Sequence, residues 1–125
     1  DLLYYLIFQY LFMKQRLPIT FLLCMLFSAV GCKRGAKLTV INDSKATLDN
    51  VVASGEGFTE SLGSIPHGDQ RHATIQPAGE SSLKLEFDVD GKHFASEPSG
   101  YFEASRHYKV TATVRPDFSV TVKDF

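Results

Sequence analysis

The chain has 125 residues, a net charge of −1, 44% hydrophobic and 22% charged residues, and two cysteines. A near-neutral chain of this length with no basic run longer than Lys33-Arg34 gives no case for nucleic-acid binding and leaves room for one modest domain. The apolar content is unevenly placed, with the longest uncharged runs at the N-terminal end.

Residues 1–12, DLLYYLIFQYLF, are apolar almost throughout and lack an initiator methionine. They read as an upstream extension of the frame, with Met13 as the start, because a helix continuing through Lys14 and Arg16 would carry two charges into a membrane. Lys14 and Arg16 then form a positive head. The uncharged run LPITFLLCMLFSAV follows from Leu17 to Val30. As a helix it would reach about 21 Å, short of the roughly 30 Å hydrocarbon core, so a cleavable export signal fits residues 13–31 better than a stable span.

The signal ends in Ala29-Val30-Gly31-Cys32, which resembles the lipobox of bacterial lipoproteins. The resemblance implies cleavage between Gly31 and Cys32, diacylglycerol on the Cys32 thiol and N-acylation of the new amino group. The family prefers Leu where Ala29 stands. Cys24 is a poor rival because Leu23 precedes it where a small residue is needed. An ordinary signal with an incidental cysteine is the alternative reading. Lys33, in place of the Asp that retains such proteins in the inner membrane, implies an outer-membrane location facing the periplasm. Residues 32–36 form a tether whose four residues after Cys32 extend at most ~14 Å. Lipidation of Cys32 would leave no free thiol, so an exported domain without disulfides must rely on its own core.

From residue 37 to residue 125 the pattern is that of strands. Lys37–Asn42 and Leu48–Ala53 are β-rich and separated by Asp43-Ser44-Lys45. Asn42-Asp43-Ser44 matches a glycosylation sequon, which is set aside in a bacterial chain. Gly55 and Gly57 loosen the next connection, and Phe58, Leu62 and Ile65 anchor the stretch after it. Ile65-Pro66-His67-Gly68 and Gln76-Pro77-Ala78-Gly79 both place Pro second and Gly fourth, as type I turns favour, with a short strand from Gln70 to Ile75 between them.

Ser82–Asp90 is the clearest strand: Leu83, Leu85, Phe87 and Val89 alternate with Lys84, Glu86, Asp88 and Asp90. Asp90-Gly91 signals a two-residue hairpin opposing Val89 to Lys92 and Phe87 to Phe94. Tyr108–Val114 alternates as well, and Phe118, Val120 and Val122 return. Matching the two apolar faces predicts a three-residue loop, Arg115-Pro116-Asp117, that opposes Val114 to Phe118, with Asp117 in the left-handed region.

About eight short strands without an amphipathic helix predict an all-β, antiparallel sandwich of about 7–8 strands. The segment VINDSKATLDNVVASG…LGSIPHGDQRHATIQ resembles the opening strands of immunoglobulin-like modules of bacterial surfaces, an expectation about fold alone.

Candidate chemistry is sparse. His67, His72, His93 and His107 invite a copper or zinc site, with His67 and His72 flanking one turn, but no helical H-x-x-x-H spacing supports it. No G-x-S-x-G elbow or phosphate loop is present, and Glu56, Glu60, Glu97 and Glu103 cannot be paired from sequence. No cofactor is expected beyond the lipid. In Ser99-Gly100-Tyr101-Phe102-Glu103 two adjacent aromatics cannot both point inward. Tyr101 or Tyr108 is then a corner tyrosine bonded to backbone, or Tyr101 and Phe102 mark a protein contact. The expected function is a non-catalytic, membrane-anchored interaction or structural module. The alternative is a periplasmic small-ligand or metal-binding module using the histidines.

Overall fold

A computed structural model describes residues 2–11, 35–104 and 106–125, which fall in two compact units, Asp1–Lys33 and Arg34–Phe125. In the first unit residues 2–11 form a helix whose large apolar side chains are 54% to 82% exposed. Among the described residues no helix is long and apolar enough to cross a membrane. The signal residues 13–31, Cys32 and Gly31 lie outside the described residues.

The second unit is an all-β sandwich of nine strands: β1 (Ala36–Asn42), β2 (Leu48–Gly55), β3 (Phe58–Ile65), β4 (Gln70–Ile75), β5 (Glu80–Val89), β6 (Lys92–Ala95), β7 (Ser99–Glu103), β8 (Lys109–Val114) and β9 (Val120–Asp124). One sheet runs β4-β1-β8-β9. The other runs β3-β2-β5-β6, with β7 also paired to β5. Period-two alternation builds the core: Leu38 and Val40 of β1, Leu83, Leu85 and Phe87 of β5, and Val110 and Val114 of β8 are at most 1% exposed. Each such side chain contributes about 2–3 kcal/mol of burial.

The expectation of a wholly antiparallel sandwich is corrected by β1 and β8, which pair in parallel from Lys37↔Lys109 to Asn42↔Val114. These strands are far apart in sequence, so no hairpin constrains their direction.

The hairpin at Asp90-Gly91 forms as its residues require. Val89 opposes Lys92, Phe87 opposes Phe94, and φ is +50° at Asp90 and +78° at Gly91. A type I′ turn needs positive φ at both positions.

The last hairpin departs from expectation. Val114 opposes Val120 rather than Phe118, and Ala112 opposes Val122. The loop has three residues, as expected, but they are Pro116, Asp117 and Phe118. Arg115 N–H donates to Ser119 O at 2.9 Å, and Phe118 N–H donates to Arg115 O at 2.9 Å. Phe118 holds the left-handed position with φ +63° in place of Asp117, whose carboxylate instead accepts from Ser119 N–H at 3.1 Å. The apolar faces still match because the shift is two residues. Phe118 is drawn into the turn by aromatic packing, its ring centroid 4.9 Å from Phe94 and 6.4 Å from Phe87.

Three connections also differ. Gly55 directly opposes Phe58, so the β2–β3 connection is a tight turn, not a loosened one. Its residue Gly57 has φ +77°, and a Cβ there would lie 2.4 Å from Ala78 Cβ. The bond closing the β3–β4 turn runs from Asp69 N–H to Pro66 O at 3.0 Å, one residue later than the Ile65-led type I turn expected. In the Gln76–Gly79 stretch Ala78 N–H donates to Glu56 O at 3.0 Å, so the segment docks on the β2–β3 turn.

The β1–β2 turn is organised by buried Asn42. Its Nδ2 donates to Ala46 O and Ile65 O, both at 2.8 Å, and its Oδ1 accepts from Ser44 N–H at 3.0 Å. Gly68 N–H donates to Asn42 O at 2.9 Å, which seats the β3–β4 turn against the first. With 0% exposure, Asn42 is no glycan acceptor.

Candidate functional site

The candidate residues of the sandwich, apart from Phe102, lie on its rims and outer faces. His67, in the β3–β4 turn, donates from Nδ1 to the Ser44 carbonyl, and so braces the Asn42 corner. His72, on β4, contacts Thr39 Oγ1 through Nδ1 at 2.9 Å and Gln70 Nε2 through Nε2 at 3.2 Å. His93, on β6, sits 2.7 Å from Asp88 Oδ1 and 3.9 Å from Glu86 Oε1. Among the described residues no three His, Cys, Asp or Glu side chains gather where they could hold a metal ion.

Tyr101 and Phe102 separate as adjacent strand residues must. Phe102 is 0% exposed and tilts against Phe58 at 6.0 Å, so it is a core residue and not the surface contact expected of it. Tyr101 is 47% exposed. Its hydroxyl donates to the Glu103 carboxylate rather than to backbone, which removes it as a corner tyrosine. Glu103 is the cross-strand partner of Glu80. The hydroxyl held by Glu103, together with Glu80, pushes the Tyr101 phenol well above the usual tyrosine value.

The Tyr101 segment is strand β7, where sequence suggested a loop. The chain from β6 continues along β5: Ser96 N–H donates to Leu85 O at 2.9 Å, and Ser96 Oγ accepts from Leu85 N–H at 2.9 Å. Pro98, which lacks an N–H, interrupts the ladder and splits it into β6 and β7. β7 also reaches the other sheet, since Tyr101 N–H donates to Asp124 Oδ2 of β9 at 2.5 Å. This side of the sandwich is therefore bridged. On the opposite side β3 and β4 end their sheets, each paired on one edge only. Arg71, which reaches Ser64 O at 2.9 Å and Asp69 at 3.0 Å, links them at the turn.

The two outer faces carry opposite charge. On the four-stranded sheet Lys37, Thr39 and Ile41 of β1 lie in register with Lys109, Thr111 and Thr113 of β8. β4 adds Thr74 and His72 on one flank, and β9 adds Lys123 and Thr121 on the other. Among the described residues Lys37, Lys109 and Lys123 have no carboxylate partner within ion-pair distance. On the other sheet Asp49 opposes Asp88 and Glu80 opposes Glu103, with Glu86 between them. Lys84 bridges to Glu86 at 3.2 Å. Asn50 and His93 hydrogen-bond Asp88 and hold its carboxyl below the usual range.

Sequence reasoning missed the lysine–threonine face, although its signal is legible. The triplet pattern Lys-x-Thr occurs at Lys37-Leu38-Thr39 and again at Lys109-Val110-Thr111. Only the parallel register aligns the two copies.

No family model and no curated relative matches the chain. Its fold is similar to that of an NMR structure of a protein from Eubacterium rectale. The TM-score is 0.56 at 13% identity, over 76% of this chain and 92% of that one. At that identity the likeness shows the fold alone.

Proposed function

We propose that the protein is a non-catalytic lipoprotein of the bacterial cell envelope, an immunoglobulin-like sandwich held at the membrane by lipid on Cys32. The observation that carries this reading is one stretch of sequence. A positive head, an uncharged run too short to span, and Ala29-Val30-Gly31-Cys32 follow one another without a break. Two or three acyl chains on Cys32 would make attachment lasting, whereas a single chain binds only marginally. The docking of the Ile65-Pro66-His67-Gly68 turn on the Asn42 corner supports the immunoglobulin-like assignment, since these are the segments that carry the resemblance.

Its role is to bind another envelope protein by strand addition, with β3 and β4 as the receiving edges. Each leaves a row of backbone donors and acceptors on its outer side, and an added strand satisfies them with little rearrangement of the fold. Lys33 favours the outer membrane, with the domain in the periplasm.

The test is fractionation of expressing cells together with labelling by radioactive palmitate. The protein is expected in the membrane fraction, labelled, and Cys32→Ser is expected to lose both label and membrane retention. A Cys32→Ser protein that is still processed and membrane-bound overturns the reading. Photo-crosslinkers at Ser61 and Ala73 are expected to capture the partner, and one at Tyr101 is not.

A further inference from the structure

We propose that the outer face of the four-stranded sheet docks on anionic phospholipid headgroups through Lys37, Lys109 and Lys123. The orientation this gives rests on the anchored reading above. The face itself is argued from charge.

Lys37 and Lys109 stand directly opposite one another in the parallel β1–β8 pair. Like charges at such a position repel, and among the described residues neither has a carboxylate within ion-pair distance. Lys123 is the cross-strand partner of Thr111, one strand further on. Beside the lysines stand Thr39 and Thr111, with Thr74 on the β4 flank, short side chains whose hydroxyls can hydrogen-bond phosphate and leave the face level. A cationic plane of this kind is complementary to a plane of phosphates.

Two further observations favour a lipid surface over a soluble polyanion. In sequence Cys32, Lys33 and Arg34 come just before β1, which starts at Ala36 and carries Lys37 beside Lys109. Phe125 exchanges both backbone hydrogen bonds with Lys109 at 3.0 Å, which places a 75% exposed aromatic ring at that end as well. Aromatic and basic side chains together suit the membrane–water interface. The opposite face, with Asp49, Glu80, Glu86 and Asp88, is repelled by anionic lipid, so the two faces fix one orientation.

The experiment is lysine acetylation of the full chain, read residue by residue by mass spectrometry, in phosphatidylcholine nanodiscs with and without phosphatidylglycerol. Lys37, Lys109 and Lys123 are expected to lose reactivity several-fold when phosphatidylglycerol is present, and Lys84 and Lys92 to keep theirs. Reactivity is expected to return in about 1 M salt, where charges are screened beyond ~3 Å. Equal reactivity in the two lipids overturns the proposal. A protein that fails to stay in either disc overturns the anchored reading alone. The same footprint with added free vesicles of the two compositions then decides the face by the same criterion. Combined Lys37→Gln, Lys109→Gln and Lys123→Gln is expected to weaken retention on phosphatidylglycerol vesicles on the order of 100-fold, about fivefold per lysine. Protection by dextran sulfate without protection by phosphatidylglycerol overturns the lipid assignment.

Discussion

The Asn42 side-chain amide donates to the Ile65 carbonyl at 2.8 Å, across 23 positions of sequence, and so ties the end of β1 to the end of β3. The same amide caps Ala46 O, and the turn it organises receives Gly68 N–H and the His67 ring. Every buried polar side-chain atom of this corner has a partner, and a buried network gains its value from being complete. Replacing Asn42 with Ala removes the amide donor of Ile65 O and the acceptor of Ser44 N–H at once, while Ser44 Oγ still reaches Ala46 O at 3.1 Å. The expected loss is about 3 kcal/mol, against about 1 kcal/mol for Ser44→Ala, read as urea unfolding midpoints. Equal losses for the two variants would show that Asn42 is not the hub.

Phe118 combines an unfavourable backbone with favourable packing. A bulky residue at φ +63° carries strain that Gly would not, while its ring packs on Phe94 and Phe87. Truncation to Ala discards the ring and keeps the strain. Truncation to Gly discards both. Phe118→Gly is therefore expected to be more stable than Phe118→Ala by about 1 kcal/mol, the reverse of the usual order in a strand, and both are expected to fall below wild type. Thermal or chemical unfolding of the three proteins checks the order.

What sequence reveals follows from how local its causes are. β5 is legible because Leu83 to Val89 alternate without interruption and Asp90-Gly91 can form little but a type I′ turn. The last hairpin is half legible: the parity of Val114 and Val120 is set by burial, but nothing in Phe118 announces that it will leave the strand for the turn. β7 is hidden by Pro98, which makes one interrupted strand look like a strand and a loop. The parallel pairing of β1 with β8 has no local cause at all, and the lysine–threonine face depends on it. The site is less legible than the fold for that reason.

Acid should weaken the fold through three exposed turn and strand carboxylates. Hydrogen bonds from Gln70 N–H and Arg71 lower Asp69, those from Asn50 and His93 lower Asp88, and those from the Ser119 hydroxyl and N–H lower Asp117, each from the ordinary 3.8. A carboxyl lowered on folding contributes stability that is complete above 3.8 and is lost as pH falls through the folded values below it. The melting temperature is expected to hold above about pH 5 and to decline below it. Asp69→Asn, Asp88→Asn and Asp117→Asn together are expected to shallow that decline, and an unchanged acid limb in the triple variant would refute the assignment.

Gly100 controls whether β7 stays on β9. Its φ is +80°, and a Cβ there would lie 2.8 Å from Val122 Cγ1. Gly100→Ala combines a left-handed backbone with a clash and is expected to cost about 1–3 kcal/mol. The hydrogen bond from Tyr101 N–H to Asp124 should open before any other, because it follows the clash by one residue. Hydrogen exchange at the Tyr101 amide is expected to accelerate more than at Val110, which lies in the buried ladder between β1 and β9. Uniform acceleration across both would mean that the bridge is no separate unit of stability.

Tyr101 provides the last test, because its hydroxyl is where two acidic strand residues meet. Glu80 and Glu103 are opposed across β5 and β7, and the Tyr101 O–H donates to Glu103. That bond and the neighbouring negative charges favour the neutral phenol and raise its pKa above the ordinary 10.0. A group raised on folding contributes stability that is present below its unfolded value and is lost as pH climbs through the folded one, so the alkaline limb of the stability profile should begin near pH 10. The difference in ultraviolet titration between wild type and Tyr101→Phe isolates this phenol and should show a midpoint above 10.0. Tyr101→Phe should also leave Glu80 and Glu103 facing each other without the bridging proton, so salt is expected to stabilise the variant more than wild type. A midpoint at or below 10.0 would mean the hydroxyl is free, and Tyr101 would then be an open aromatic contact on the bridged side of the sandwich.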